Sequence, residues 1–266
     1  MYKTINHTVY WYEVKGKGEP VVFLHGFTGT GGTWDTIAAR LPEDLQSLTI
    51  DLPGHGRTES KMPKDMERFC GDLAELVESL QWKKVHLVGY SMGGRAALSF
   101  AVLYPGMVKS LTLESASPGL SDEKDKEERR QNDEQLAQRI QSDGVEAFVE
   151  FWENIPLFHT QKHLPEEVRH KIRTERLFQS AEGLAQSLQY MGTGAQPSWW
   201  DALQNLKVPV LLVAGGRDDK FTAINQSMKK QIPKAELTVV EGAGHAIHVE
   251  QPVVFGRIVS EFLKTV

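Results

Sequence analysis

The chain reads as an α/β protein: a mostly parallel sheet flanked by helices, with a helical lid inserted into the core. Three observations predict this. Short apolar runs alternate with helical patterns from Pro20 to Leu113, the rhythm of parallel strands joined by crossover helices. One such run, Val85-His-Leu-Val-Gly-Tyr90, ends in Gly89-Tyr-Ser91-Met-Gly93 and passes directly into a helical pattern. The strand rhythm then stops after Pro118-Gly119 and resumes only near Val208. Residues 1–117 and 201–266 are therefore expected to form the core, and 118–200 the lid.

The elements follow in order. Residues 2–14 alternate in the manner of an edge strand. Pro20–Leu24 is a buried strand that runs into His25-Gly26-Phe27, and a glycine-rich turn, Thr28–Gly32, leads to a helix around 33–41. Ser47–Asp51 is the next strand, ending in Leu52-Pro-Gly-His-Gly56. Apolar residues at Met66, Phe69, Cys70, Leu73, Leu76, Val77 and Leu80 have helical spacing and predict a helix over 65–81. A helix from Met92 to Tyr104 stops at Pro105-Gly106, and Val108–Leu113 is the strand after it. Ser121–Asp143 is densely charged and reads as a solvated helix face. Helical patterns continue to about Trp200, and Val208–Ala214 and Ala235–Val240 complete the sheet.

Composition narrows the function. The 266 residues suit one α/β domain with an insertion. A net charge of −5 argues against a nucleic-acid surface. The single cysteine, Cys70, excludes an internal disulfide, suits a reducing compartment and reads as a small buried hydrophobe. No apolar leader or membrane-length run is visible. A cytoplasmic protein without membrane or nucleic-acid partners is expected, monomeric by default.

The chemistry is concentrated at the strand-to-helix turn. Gly-x-Ser-x-Gly in that setting is a nucleophile elbow, which exposes a serine hydroxyl at the rim of a sheet. An acid and a histidine should follow, each just after a later strand. Asp218 follows Val208–Ala214, and His245 follows Ala235–Val240. The order Ser91, Asp218, His245 is that of the α/β-hydrolase fold. Asp219 and His248 are the rival acid and base. The turn places the acid at Asp218, and Gly242-Ala-Gly244 before His245 suits an exposed catalytic turn. In such a triad His245 takes the serine proton and Asp218 holds the imidazole. The backbone N–H groups of Met92 and Phe27 are the expected oxyanion donors. His25, His55 and His86 read as structural, and Asp51 as a support for its loop. No metal-ligand spacing appears, and no metal or cofactor is expected.

Arg95 is out of place for a plain esterase. It lies four residues after Ser91, where a cation opposes the positive end of the helix dipole by roughly 0.3–1 kcal/mol. Two readings fit: a salt bridge to Glu114, or a substrate carboxylate bound beside the nucleophile. Arg130 and Arg176, in the predicted lid, are candidates for further carboxylate forks.

Beyond the shared elbow, five segments resemble one family. They are Gly89-Tyr-Ser-Met-Gly-Gly-Arg95, Glu114–Leu120, Glu128–Asp133, Met191-Gly-Thr-Gly-Ala-Gln-Pro197 and Gly216–Phe221. They resemble the MenH family of α/β-hydrolases, the 2-succinyl-6-hydroxy-2,4-cyclohexadiene-1-carboxylate synthases. The resemblance implies a lyase of menaquinone biosynthesis that eliminates pyruvate from 2-succinyl-5-enolpyruvyl-6-hydroxy-3-cyclohexene-1-carboxylate. It implies that Arg95, Arg130 and Arg176 bind this small polycarboxylate. It further implies that Tyr90 beside the serine and an aromatic lid residue, Trp152 or equally Phe151, line the pocket. The alternatives are a serine carboxylesterase or carbon–carbon bond hydrolase using the same triad, and a catalytically silent ligand receptor.

Overall fold

In the computed structural model, which describes residues 1–266, residues 2–14 do not form one edge strand. The chain reverses at Asn6 and His7, with φ of 43° and 67°. Two successive left-handed residues suit a tight hairpin, so the alternation splits into β1 (Tyr2–Ile5) and β2 (Thr8–Gly16). Only β1 is at the edge, because β2 pairs antiparallel with both β1 and β4. The rest of the sheet comprises β3 (Glu19–Leu24), β4 (Leu45–Ile50), a two-residue β5 (Glu59–Ser60) against β2, β6 (Val85–Tyr90), β7 (Val108–Glu114), β8 (Val210–Gly215) and β9 (Ala235–Val240). Its order is β1-β2-β4-β3-β6-β7-β8-β9, parallel from β4 onward.

The helix predicted over 33–41 is shorter. A 3₁₀ turn at Gly31–Trp34 leads into a single turn, α1 (Asp35–Ala38), with Pro42 close behind. The next two are α2 (Met66–Ser79) and α3 (Met92–Leu103). Asp65 caps α2 by accepting the Arg68 N–H at 2.8 Å. The apolar stripe of α2, including Phe69, Leu73 and Val77, is fully buried against one face of the sheet. Burying such a side chain contributes roughly 1.5–3 kcal/mol. Cys70 lies in that stripe. Trp34, Ile37, Phe255 and Val259 cover the opposite face.

Between β7 and β8 the chain is helical, as expected. It contains α4 (Glu123–Trp152), α5 (Glu166–Leu177) and α6 (Ala181–Met191). Gly144, at φ 82°, breaks α4, which then packs Ala137, Ile140, Phe148 and Val149 onto Leu184, Ala185 and Leu188. The charge run is mostly solvated, yet Asp133 within it is buried. After β8 come α7 (Asp219–Gln231), then β9, α8 (Ile247–Glu250) and α9 (Pro252–Leu263). No helix is long and apolar enough to cross a membrane. The carboxyl ends of β3, β6, β8 and β9 share one rim, where open α/β sheets bind their ligands.

Candidate active site

Ser91 sits between β6 and α3 with φ 51° and ψ −108°, a strained conformation held by its surroundings. Its N–H is tied to the Glu114 carbonyl at 2.9 Å. The two glycines permit the turn. A Cβ at Gly89 would lie 2.4 Å from the Gly93 carbonyl oxygen, and one at Gly93 would lie 2.1 Å from that of Leu24. Strand and helix could not approach so closely with any side chain there.

His245 Nε2 lies 3.1 Å from Ser91 Oγ, and Nδ1 lies 2.7 Å from Asp218 Oδ2. Asp218 also caps α7, its other oxygen accepting the Phe221 N–H at 3.2 Å. Asp219 is exposed and takes no part. His248 is committed elsewhere: its N–H and Nδ1 contact Glu114 at 2.9 and 3.0 Å, and Nε2 contacts Thr33 at 3.0 Å. Of the two rival pairs, His245 and Asp218 are the members in contact with each other and in line with Ser91.

The loop after β3 brings Phe27 to the same rim. Its N–H is not committed to any protein acceptor, and Met92, opening α3, has no intrahelical acceptor for its own. His25 supports this loop. The Leu52 N–H donates to His25 Nε2 at 2.9 Å, so the ring proton sits on Nδ1 and donates to the Gly26 carbonyl at 2.7 Å. Burial pushes His25 down to about 4 and His55 to about 3, so both are neutral. Asp51 accepts the Gly31 and Arg57 N–H groups, at 2.7 and 2.9 Å. These residues are structural, as is His86, whose Nδ1 pairs with Ser110 at 2.7 Å.

Ser91 opens into a cavity of about 610 Å³ beneath the helical segment, lined by Phe27, Tyr90, Met92, Arg95, Trp152 and His245 among others. A more open groove of about 1000 Å³ between α5 and the start of α1 is lined mainly by polar residues and lacks the serine. Tyr90 is nearly buried, its ring over Gly26 and 5.4 Å from that of His245. Burial holds its hydroxyl well above the ordinary range. Trp152 rather than Phe151 faces the cavity. Phe151 turns outward beneath the Arg139 guanidinium, 4.5 Å away.

Arg95 is 9% exposed and makes no salt bridge to Glu114, which is occupied by His248. Its guanidinium donates to the Met191 carbonyl at 2.8 Å and to Gln196 Oε1. Burial and the nearby Arg129 lower it to about 9 against the opposing pull of Asp133, so it remains cationic at neutral pH. The cavity wall thus holds a buried cation whose hydrogen-bond acceptors are neutral.

Arg130 departs from expectation. It is exposed, pairs with Glu127 at 2.8 Å and donates to the Gly194 carbonyl. Arg129 lines the cavity instead, bound to Asp133 at 2.8 Å. The reason is helical geometry: Arg129, Asp133, Leu136 and Ile140 share one face of α4, and Arg130 is rotated about 100° from it. Counting back from the apolar Ile140 in steps of three and four would have found Arg129. Arg176 is also displaced from the main cavity. It is buried, 4.7 Å over the Phe158 ring and bound to Gln161 at 3.2 Å, in a small adjoining pocket that shares Tyr90 and Phe27. Ser115 was not anticipated: it lines the cavity with an unpartnered, buried hydroxyl and φ 47°.

Comparisons with known proteins point to one family. The family model described as the alpha/beta hydrolase fold matches residues 19–252. A Bacillus subtilis (strain 168) protein, provisionally named 2-succinyl-6-hydroxy-2,4-cyclohexadiene-1-carboxylate synthase, is 47% identical over 99% of both chains. The synthase of that name from Enterobacter sp. (strain 638) is 32% identical over 92% of this chain and 91% of its own. The solved structure of MenH from S. aureus superposes with a TM-score of 0.92 at 36% identity, covering 98% of this chain and 99% of that one. An elbow serine in hydrogen-bond reach of a histidine–aspartate pair, together with full-length likeness to these synthases, places the chain in the α/β-hydrolase fold family and, within it, in the 2-succinyl-6-hydroxy-2,4-cyclohexadiene-1-carboxylate synthase family.

Proposed function

We propose that the protein eliminates pyruvate from 2-succinyl-5-enolpyruvyl-6-hydroxy-3-cyclohexene-1-carboxylate, giving 2-succinyl-6-hydroxy-2,4-cyclohexadiene-1-carboxylate for menaquinone biosynthesis in the cytoplasm. The observation that carries this reading is Arg95, a buried cation on the wall of the serine cavity with only neutral hydrogen-bond acceptors. Asp133 acts on Arg95 from a distance but is salt-bridged to Arg129, so Arg95 lacks a hydrogen-bonded counter-ion, and a buried charge in that position is costly. A substrate carboxylate would offset that cost, whereas an ester with apolar groups would not.

Ser91, Asp218 and His245 act as a catalytic triad. His245 accepts the Ser91 proton and Asp218 stabilises the imidazolium. The Ser91 oxygen removes the ring C2 proton, α to the succinyl ketone. The C–H electron pair forms the C2–C3 double bond, the C3–C4 double bond moves to C4–C5, and the C5–O bond breaks. The enolpyruvyl group leaves as pyruvate enolate and takes the proton held by His245. Phe27 and Met92 N–H groups stabilise negative charge on the ketone oxygen as it develops. No covalent acyl-serine, metal or cofactor is required. Tyr90 and Trp152 shape the pocket, and Arg95 binds a carboxylate. We assign Arg129 to the carboxylate role expected of Arg130, and Arg176 to a carboxylate reaching the adjoining pocket.

The test is pyruvate release from freshly made substrate, beside an aryl-ester control. Rapid release with negligible ester turnover is expected, and Ser91→Ala should lower kcat at least about 1000-fold. Ester turnover without pyruvate release would reject the lyase and favour a serine esterase. Near-full release by Ser91→Ala would reject the serine as base.

A further inference from the structure

The loop that carries the Phe27 N–H is gripped from two sides. Beneath it, His25 donates to the Gly26 carbonyl. Above it, the end of α5 and the turn that follows it make a denser set of contacts. Glu175 Oε1 accepts the Thr30 N–H at 2.7 Å and the Thr30 hydroxyl at 2.5 Å. Gln179 Nε2 donates to the carbonyls of Thr28 and Gly29, both at 3.3 Å, and Gln179 Oε1 accepts the Gly56 N–H at 2.9 Å. Gln179 is 5% exposed, and burial raises the Glu175 carboxyl above its ordinary range. These are expensive groups to bury for a connection that apolar packing could make. The loop they hold is itself strained, since Thr28 adopts φ 69°. A threonine keeps that left-handed conformation only when its surroundings enforce it.

Between Glu175 and Gln179 on the same turn lies Arg176, which points instead toward Phe158 and the pocket shared with Tyr90. One stretch of chain therefore touches both the oxyanion loop and a cation that we assign to substrate.

We propose that Glu175 and Gln179 are positioning residues for the oxyanion donor, so that carboxylate binding at Arg176 and the placement of the Phe27 N–H are linked through the end of α5. The inference rests on the proposed pyruvate elimination. Neither residue touches the reacting atoms. Their effect is on the aim of one N–H, and a donor matters in proportion to how well it matches the oxyanion's position in the transition state.

The experiment is steady-state pyruvate release by wild type, Gln179→Met, Glu175→Gln and Glu175→Met, with thermal melts of each. Gln179→Met keeps the volume and removes the donors. It should lower kcat about 10- to 100-fold while KM stays within about 2-fold, because deleting one oxyanion donor outright costs about 100- to 1000-fold. Glu175→Gln keeps an oxygen for the Thr30 N–H and should retain kcat within about 3-fold, whereas Glu175→Met should fall as Gln179→Met does. If Gln179→Met fails to fold, Gln179→Glu is read in its place, since it keeps an acceptor for Gly56 and loses only the donors. A folded Gln179 variant with kcat within about 2-fold of wild type, or with its whole loss in KM, overturns the proposal. Absence of pyruvate release by the wild type would instead overturn the proposed function, and this inference with it.

Discussion

Replacing Arg95 by Met should move activity and stability in different ways, and the structure supplies both magnitudes. Met keeps an unbranched apolar stem but removes the guanidinium and its charge. For catalysis, the substrate carboxylate loses a charge-assisted partner in a buried site. Truncating one member of such a pair costs about 2–5 kcal/mol. Taking about 2–4 kcal/mol, kcat/KM should fall about 30- to 900-fold at 1.36 kcal/mol per decade. For stability, two terms oppose. Removing a buried cation relieves a desolvation cost of several kcal/mol. Against it, the Met191 carbonyl and Gln196 Oε1 lose their donor, at about 1–3 kcal/mol each. The terms nearly cancel, so the melting temperature should stay within about 5 °C of wild type, given about 2–4 °C per kcal/mol for a chain of this size. Pyruvate release coupled to a lactate dehydrogenase readout gives the first quantity, and a thermal melt the second. Retention of kcat/KM within about 3-fold, or a melting temperature lowered by more than about 10 °C, would refute the reasoning. The first would mean that Arg95 does not meet substrate; the second, that it is chiefly a tie between α3 and the chain at Met191–Gln196.

Three further outcomes are expected. Arg129→Ala should lower kcat/KM at least about 10-fold and Arg130→Ala less than about 2-fold, because only Arg129 lines the cavity; equal effects in the same kinetic assay would contradict the assignment of the cavity face of α4. Gly93→Ala should unfold or strongly destabilise the protein, by more than about 3 kcal/mol, since its Cβ would lie 2.1 Å from the Leu24 carbonyl oxygen; a wild-type urea midpoint would show that the elbow can relax. Stability should decline as pH falls from the ordinary imidazole value of about 6.5 through the buried values of about 4 for His25 and about 3 for His55. Below the ordinary value the unfolded chain binds protons that these neutral imidazoles refuse, so acid favours unfolding, by about 3 kcal/mol from His25 alone. Urea midpoints between pH 7 and 4.5 measure this, and a flat profile would contradict neutral burial of the two rings.

What the sequence determined by itself is the chemistry that local backbone geometry dictates. Gly89-Tyr-Ser-Met-Gly93 can serve as a strand-to-helix turn only because a side chain at either glycine would collide with backbone, and that collision is encoded within a few residues. The positions of Asp218 and His245, which contact each other in the structure, were legible for a similar reason, since each lies just after a strand whose apolar run is visible in the chain. Tertiary structure decided whatever depends on which of two neighbouring side chains finds a free partner. His248 and Asp219 stand within three residues of the groups that contact each other, yet Glu114 occupies the first and solvent the second. Arg129 and Arg130 are adjacent in the chain but are separated on α4 by about 100° of rotation, which one places in the cavity and the other in solvent. The absence of a direct salt bridge at Arg95 could not be read from the chain either. Glu114 is suitably near in sequence, and only the packing of α8 against β7, which delivers His248 to that carboxylate, leaves the arginine with neutral partners. Spacing along a chain records what a residue can reach; burial, which removes water as the alternative partner, decides what it must bind.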